Sequence, residues 1–175
     1  MEFRQLVTGF GEKVGVPDLT PDETGAVVIE NELIRMTVQA VPEAGKILMH
    51  CEFGEPPAEH ADQFERKMLQ ANFMYRGTGG ATLSMDEESG RYYLCRYDEL
   101  DGQNVESFCA LLDSFMSLAA DWRVLCDGFR GTTGGIMPRA AAARPARPAE
   151  KKPANVASLT SASAVPASLR GFDRG

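Results

Sequence analysis

The sequence predicts an α+β fold in which an antiparallel sheet packs against three helices, in the order α-β-β-β-α-β-β-α. Two patterns predict it. Apolar residues recur at helical spacing in three segments, at about 3–14, 59–73 and 104–126. Between these segments lie five short stretches that are β-branched or alternate between apolar and polar residues, separated by tight turns. Short turns between consecutive strands favour antiparallel pairing.

The first helix is predicted by one apolar stripe that lies on a single helical face. Its members are Phe3, Leu6, Val7, Phe10 and Val14. Gly15 and Pro17 follow and end the helix, because proline lacks the backbone N–H that a further turn requires. The stripe predicts that one face of this helix is buried, either in the core or against a partner.

Three strands are predicted after the first helix. Residues 26–30 are short and β-branched and include Val28. Ile34, Met36 and Val38 alternate with polar residues, which is the period of a half-buried strand. Residues 47–53 form the third strand, and the turns between the strands predict a meander.

The second helix carries a broader apolar stripe than one core contact requires. Its large apolar residues include Phe64, Met68, Leu69 and Phe73. Glycines at 77, 79 and 80 end it, and two more strands are predicted at about 81–86 and 91–97. The glycine-rich segment runs from helix to strand and lacks the GK[ST] sequence, so we interpret it as a helix cap and turn, not a phosphate loop.

Charge divides the 175-residue chain into two parts. Residues 1–130 carry 11 Lys+Arg and 23 Asp+Glu, a net charge of −12, whereas residues 131–175 carry 7 and 2, a net charge of +5. We therefore predict a folded domain over 1–130 and a basic, Ala/Pro/Arg/Ser-rich tail over 131–175 that is disordered. The acidic body argues against nucleic acid as a partner, since phosphates bind basic surfaces.

The sequence offers no pattern for catalysis, a cofactor or a metal. Its four cysteines are widely spaced, and its two histidines lie outside any recognised catalytic motif. We expect reduced cysteines in or near the core of a cytoplasmic protein that is not an enzyme. No apolar run is long enough to span a bilayer, so we expect no stable membrane insertion.

The junction between the second helix and the fourth strand is the most specific feature of the sequence. The string Ala71-Asn72-Phe73-Met74-Tyr75-Arg76-Gly77-Thr78-Gly79-Gly80-Ala81-Thr82-Leu83 resembles the corresponding junction of the class I type III secretion chaperones, the Tir-chaperone family. The element order and the closing helix are also similar, and the resemblance covers about residues 3–127. Members of the family usually end soon after the last helix, so the tail is a departure.

The resemblance implies a cytosolic homodimer that binds the N-terminal segment of a secreted effector without ATP. It implies that the effector wraps around the dimer in extended form and that one of its strands extends the sheet. The dimer interface is then expected at the second helix, with Phe64, Met68, Leu69 and Phe73. Candidates for an effector-binding groove are Phe3, Leu6, Val7, Phe10, Val28, Ile34, Met36 and Val38, although the same pattern also fits a core.

A second hypothesis from another class remains open at this stage. A non-enzymatic regulatory module on the same scaffold would bind a folded partner, and the fold alone does not separate it from a chaperone. The basic tail has three alternative contacts: the acidic body of its own dimer, a component of the secretion apparatus, or an anionic surface.

Overall fold

One six-stranded sheet organises the residues described by this computed structural model, which are 1–129 and the backbone of 156–158. The strand order is β4-β5-β3-β2-β1-β6. The first five strands pair antiparallel, and the sixth pairs parallel with β1. The predicted α+β class, the three helices and the antiparallel five-stranded sheet are confirmed, and β6 is an addition that the sequence patterns did not indicate.

The helices and strands follow the predicted order, and most bounds agree within two residues. Helices α1, α2 and α3 are Phe3–Lys13, Ala61–Asn72 and Val105–Gly128. Strands β1 to β6 are Ala26–Glu30, Arg35–Val41, Lys46–Gly54, Thr82–Met85, Tyr92–Glu99 and Val156–Ser158. Short 3₁₀ turns at Pro42–Ala44 and Phe73–Tyr75 follow β2 and α2.

Local side-chain hydrogen bonds fix the ends of several elements. Asn104 caps α3, because its Oδ1 accepts from the Ser107 N–H at 2.9 Å while its own N–H donates to Ser107 Oγ at 3.0 Å. Asn31 closes the β1–β2 turn, where its Oδ1 accepts from the N–H groups of Leu33 and Ile34. These contacts explain why α3 begins, and why β1 gives way to β2, close to the positions that the sequence pattern predicted.

The helices cover one face of the sheet. Helix α3 packs on β3, and α1 packs on α3. Phe108 of α3 receives the rings of Phe3 and Phe10 edge-on, at 6.1 and 6.3 Å between centroids. A second aromatic group under α2 consists of Phe53, Phe64, Tyr92, Trp122 and Phe129. Burial of these rings supplies the main stabilising term of the core.

The other face of the sheet is open. Its central row runs across four strands through Val28, Thr37, His50 and Cys95, each half-buried. The alternating residues Val27, Ile29, Met36, Val38 and Met49 point towards the helices and are buried. One face is therefore core and the other is accessible to a ligand. Among residues 1–129, no helix combines the length and apolar character that crossing a bilayer requires.

Candidate functional site

The junction between α2 and β4 is held by contacts that require particular residues. The side-chain amide of Asn72 makes two hydrogen bonds with the backbone of Leu83, both 2.9 Å long. The Gly77 carbonyl accepts a hydrogen bond from the Trp122 indole N–H at 3.1 Å. Any Cβ at position 77 would lie 2.7 Å from that of Ala71, which is too close for two carbon atoms. The glycine-rich segment is thus a close structural contact and agrees with its interpretation as a cap and turn.

Beside this junction, the protein exposes several large apolar side chains, which we call the α2–β4 surface. Its members are Leu69, Phe73, Met74, Tyr75 and Met85, and their exposed fractions range from 54% to 71%. Met74 and Tyr75 have φ angles of 53° and 56°, a left-handed conformation that non-glycine residues seldom adopt. An apolar surface of this kind usually marks a binding site for another protein.

The four residues expected at a dimer interface divide between the core and this surface. Phe64 and Met68 are buried within the protomer, where the Phe64 ring contacts those of Tyr92 and Trp122. Leu69 on α2 and Phe73, the first residue of the 3₁₀ turn that follows, are both exposed. The broad stripe of this helix thus combines an inward face with an outward one.

The groove candidates on α1 lie in the core of the protomer. Phe3 is 7% exposed, and Leu6, Val7 and Phe10 are at most 2% exposed. Their side chains pack between α1, α3 and the sheet, against Phe108 among others. Without a rearrangement they present very little area to a ligand.

The four groove candidates in and beside the strands lie on different faces of the sheet. Ile34, Met36 and Val38 are at most 1% exposed and point towards the helices. Val28 is half-buried and belongs to the open face, where it stands opposite Thr37. Of the eight groove candidates, Val28 is therefore the one that the protomer offers directly to a partner.

An open depression of about 500 Å³ lies beside Val28. Residues of β1, β2 and β3 and of the β1–β2 turn line it, together with Tyr93 and Arg123. Its lining includes the carboxylates Glu30 and Glu52 as well as the exposed Leu33. The depression combines apolar and charged groups, as a peptide-binding surface does, and its open shape suits an extended chain.

Burial shifts the pKa values of several titratable groups on the sheet. Burial lowers the pKa of His50 and raises the pKa of the Cys95 thiol. Burial also raises the pKa of Cys51 to about 12, so this thiol is protonated at neutral pH. Within residues 1–129 and 156–158, no three His, Cys, Asp or Glu side chains stand close enough to hold a metal ion together.

One face of the sheet is core, while the other face and the end of α2 are accessible. The model of the Tir chaperone protein (CesT) family matches residues 5–123. This chain therefore belongs to that family of type III secretion chaperones. No curated protein sequence matches it significantly.

Three solved structures of protein complexes contain chains of similar fold. The match to the ExsC–ExsE complex has a TM-score of 0.61 at 21% identity and covers 72% of this chain and 97% of the other. The match to the HopA1–SchA chaperone–effector complex has a TM-score of 0.60 at 17% identity and covers 70% of this chain and 93% of the other. The match to the Yersinia pestis type III secretion chaperone SycH in complex with a fragment of YscM2 has a TM-score of 0.55 at 12% identity. It covers 69% of this chain and 98% of the other. At these identities the likeness shows the fold.

Several features of these surfaces were not found from the sequence. Met74, Tyr75 and Met85 belong to the α2–β4 surface, and alternation along β4 gave no signal for Met85, because it places this residue on the same face as the buried Leu83. The left-handed conformations of Met74 and Tyr75 have no sequence signal, since neither residue type favours them.

Proposed function

We propose that this protein is a cytosolic, dimeric chaperone that binds the extended N-terminal region of a type III secreted effector. It keeps the effector competent for secretion and aids its delivery to the secretion apparatus, and the binding energy alone, without ATP, holds the effector segment unfolded. The observation that carries this proposal is the family match over residues 5–123. The fold shared with a chain of the HopA1–SchA chaperone–effector complex supports an effector as the class of partner.

The α2–β4 surface is the proposed dimer interface. Five large apolar side chains stand exposed there, and β4 is the outer strand of the sheet among the described residues. Pairing two such surfaces would remove Leu69 and Phe73 from water in both protomers, and a twofold interface uses the same residues from each. Phe64 and Met68 support this surface from the core side.

The open face of the sheet is the proposed site for the effector. An extended segment gains affinity from backbone hydrogen bonds and selectivity from pockets that accept alternate side chains. Val28 and the depression beside it offer such a place. The buried groove candidates of α1 and β2 belong to the core between the sheet and the helices and contribute indirectly.

The experiment that tests this function is affinity purification of the full chain from a type III-secreting bacterium that carries it. Mass spectrometry identifies the partner, and light scattering gives the mass of the complex. We expect one dominant secreted protein, captured through its N-terminal region, with two copies of this 19.0 kDa chain per partner. Recovery of folded cytosolic proteins alone would favour the regulatory module instead.

The basic tail is the proposed contact for a component of the secretion apparatus. Residues 131–175 have a net charge of +5, and such a charge attracts an acidic surface over a Debye length of about 8 Å at physiological salt. Deletion of this segment is expected to preserve effector binding and to reduce effector export. Equal export with and without the tail would contradict this role.

A further inference from the structure

A segment of the basic tail pairs with the sheet at the edge that β1 would otherwise leave open. Val156–Ser158 run parallel to β1, with Val28 opposite Val156 and Glu30 opposite Ser158. On its other side, β1 pairs antiparallel with β2 over its whole length. The tail strand β6 is therefore the outer strand at this end of the sheet.

Strand β1 has the properties of an edge strand that pairs readily with other extended chains. Its sequence is Ala-Val-Val-Ile-Glu, which has high β-propensity and one charged residue. An uncovered edge of this kind presents a row of N–H and C=O groups to any extended chain, and proteins usually cover or interrupt it. A cover supplied by the chain itself prevents unwanted pairing.

The described part of β6 covers the second half of β1. Within the residues that the structure describes, β6 pairs with Val28 to Glu30. A longer strand that paired along all of β1 would form more backbone hydrogen bonds, each contributing about 0.5–1.5 kcal/mol net. Such a strand would therefore compete with β6 for the edge.

The sequences that precede β1 and β6 carry opposite charges. The exposed Glu23 lies three residues before β1. Lys151 and Lys152 lie shortly before β6 in the sequence. Residues 1–130 have a net charge of −12 and residues 131–175 a net charge of +5, so the two parts of the chain attract each other.

We infer that Val156–Ser158 are a built-in competitor, a segment of the chain that occupies the β1 edge and excludes any other strand from it until displaced. Access of another strand to the β1 edge thus depends on residues 156–158 of the same chain. This inference concerns the edge itself and is tested with no effector present, so its failure would leave the proposed chaperone function intact.

Hydrogen–deuterium exchange of the full chain tests the occupation of the edge. Ala157→Pro removes a backbone N–H within β6, whereas Ala162→Pro makes the same change outside it. We expect those amides of Ala26–Glu30 that do not pair with β2 to exchange roughly tenfold faster in Ala157→Pro than in the wild type, as loss of one or two hydrogen bonds produces. Ala162→Pro should match the wild type. Equal exchange in all three chains would overturn the inference.

Disulfide trapping tests the register independently. Glu30 and Ser158 are directly opposite, so the pair Glu30→Cys and Ser158→Cys should form a disulfide within one chain. The control pair Glu30→Cys and Ala157→Cys should not, because adjacent strand residues point to opposite faces. Peptide mapping distinguishes the new bond from the four native cysteines. Equal trapping in both pairs, or trapping between two chains only, would overturn the inference.

A labelled peptide of residues 151–162 of this chain tests the exclusion. A tethered segment typically competes at an effective concentration in the millimolar range, so the wild-type edge should bind the peptide weakly. We expect roughly tenfold tighter binding to Ala157→Pro, with Ala162→Pro unchanged from the wild type. Equal affinity for all three chains would show that the tail does not exclude a second strand.

Discussion

The side-chain amide of Asn72 binds the backbone of Leu83 as a neighbouring strand would. Its Nδ2 donates to the Leu83 carbonyl and its Oδ1 accepts from the Leu83 N–H, each at 2.9 Å. Because the Leu83 N–H is used in this way, the last turn of α2 is fastened to the outer strand β4. The exposed residues Leu69 and Phe73 of the proposed dimer interface lie three residues before Asn72 and one after it.

Replacing Asn72 by leucine should destabilise the protein. The change keeps a similar shape but leaves the part-buried N–H and C=O of Leu83 without these partners, which costs about 1–3 kcal/mol per unsatisfied group. Urea denaturation measures the free energy of unfolding. Gln70→Leu, an exposed position on the same helix, is the control and should change stability by less than about 0.5 kcal/mol. Similar losses in both variants would contradict the role of Asn72.

Replacing Leu69 by glutamate should separate the dimer while the fold survives. Leu69 is 71% exposed in the protomer, so the change costs little in folding but would bury a charge at the proposed interface. We expect the dissociation constant measured by sedimentation equilibrium to rise by more than about tenfold, or 1.4 kcal/mol. Val124→Glu, a change at an exposed apolar residue of α3, is the matched control. An unchanged mass distribution for Leu69→Glu would reject the interface.

Replacing Met36 by glutamate should prevent folding and not merely weaken effector binding. Met36 has no exposed area, and an unpaired charge in its place would cost more than about 4 kcal/mol, a large fraction of the stability of a domain. Thr37→Glu, at the next position on the open face, should fold. Far-UV circular dichroism and thermal denaturation compare the two. A folded Met36→Glu protein that had lost its partner would instead place Met36 in a groove.

The stability of the protein should decrease as the pH falls through the range in which histidines titrate. Burial lowers the pKa of His50 below 6.5, so between the two values the unfolded chain binds a proton that the folded chain does not. The contribution of His50 is therefore complete above pH 6.5 and is lost as the pH falls towards the folded pKa. His50→Gln should reduce the fall in Tm over this interval. His60→Gln is the control, and an equal effect of both would contradict the assignment.

Periodicity was sufficient to predict most of the secondary structure. The bounds of β1 match because a β-branched run lies between glycine and asparagine, and α3 begins at its predicted cap because Asn104 and Ser107 form a reciprocal pair. The sheet order, with β5 beside β3, depends on contacts between distant residues and has no local pattern. For the same reason, β6 was not predicted.

The faces of the apolar stripes could not be assigned from the sequence. A stripe that contacts a partner has the same spacing as one that contacts the core, so Met36 and Val28 were equally good groove candidates. Their burial differs because three helices cover a single face of the sheet. Similarly, Met68 and Leu69 are neighbours in sequence, yet the first is 5% exposed and the second 71%.

Limited proteolysis of the purified complex tests the central claim most directly, that the protein holds part of its partner in extended form. Mass spectrometry then identifies the partner fragment that remains bound. The chaperone proposal predicts protection of one N-terminal segment that has no fold of its own and stays with two copies of this chain. Protection of an entire domain that remains folded after release from this chain would contradict it.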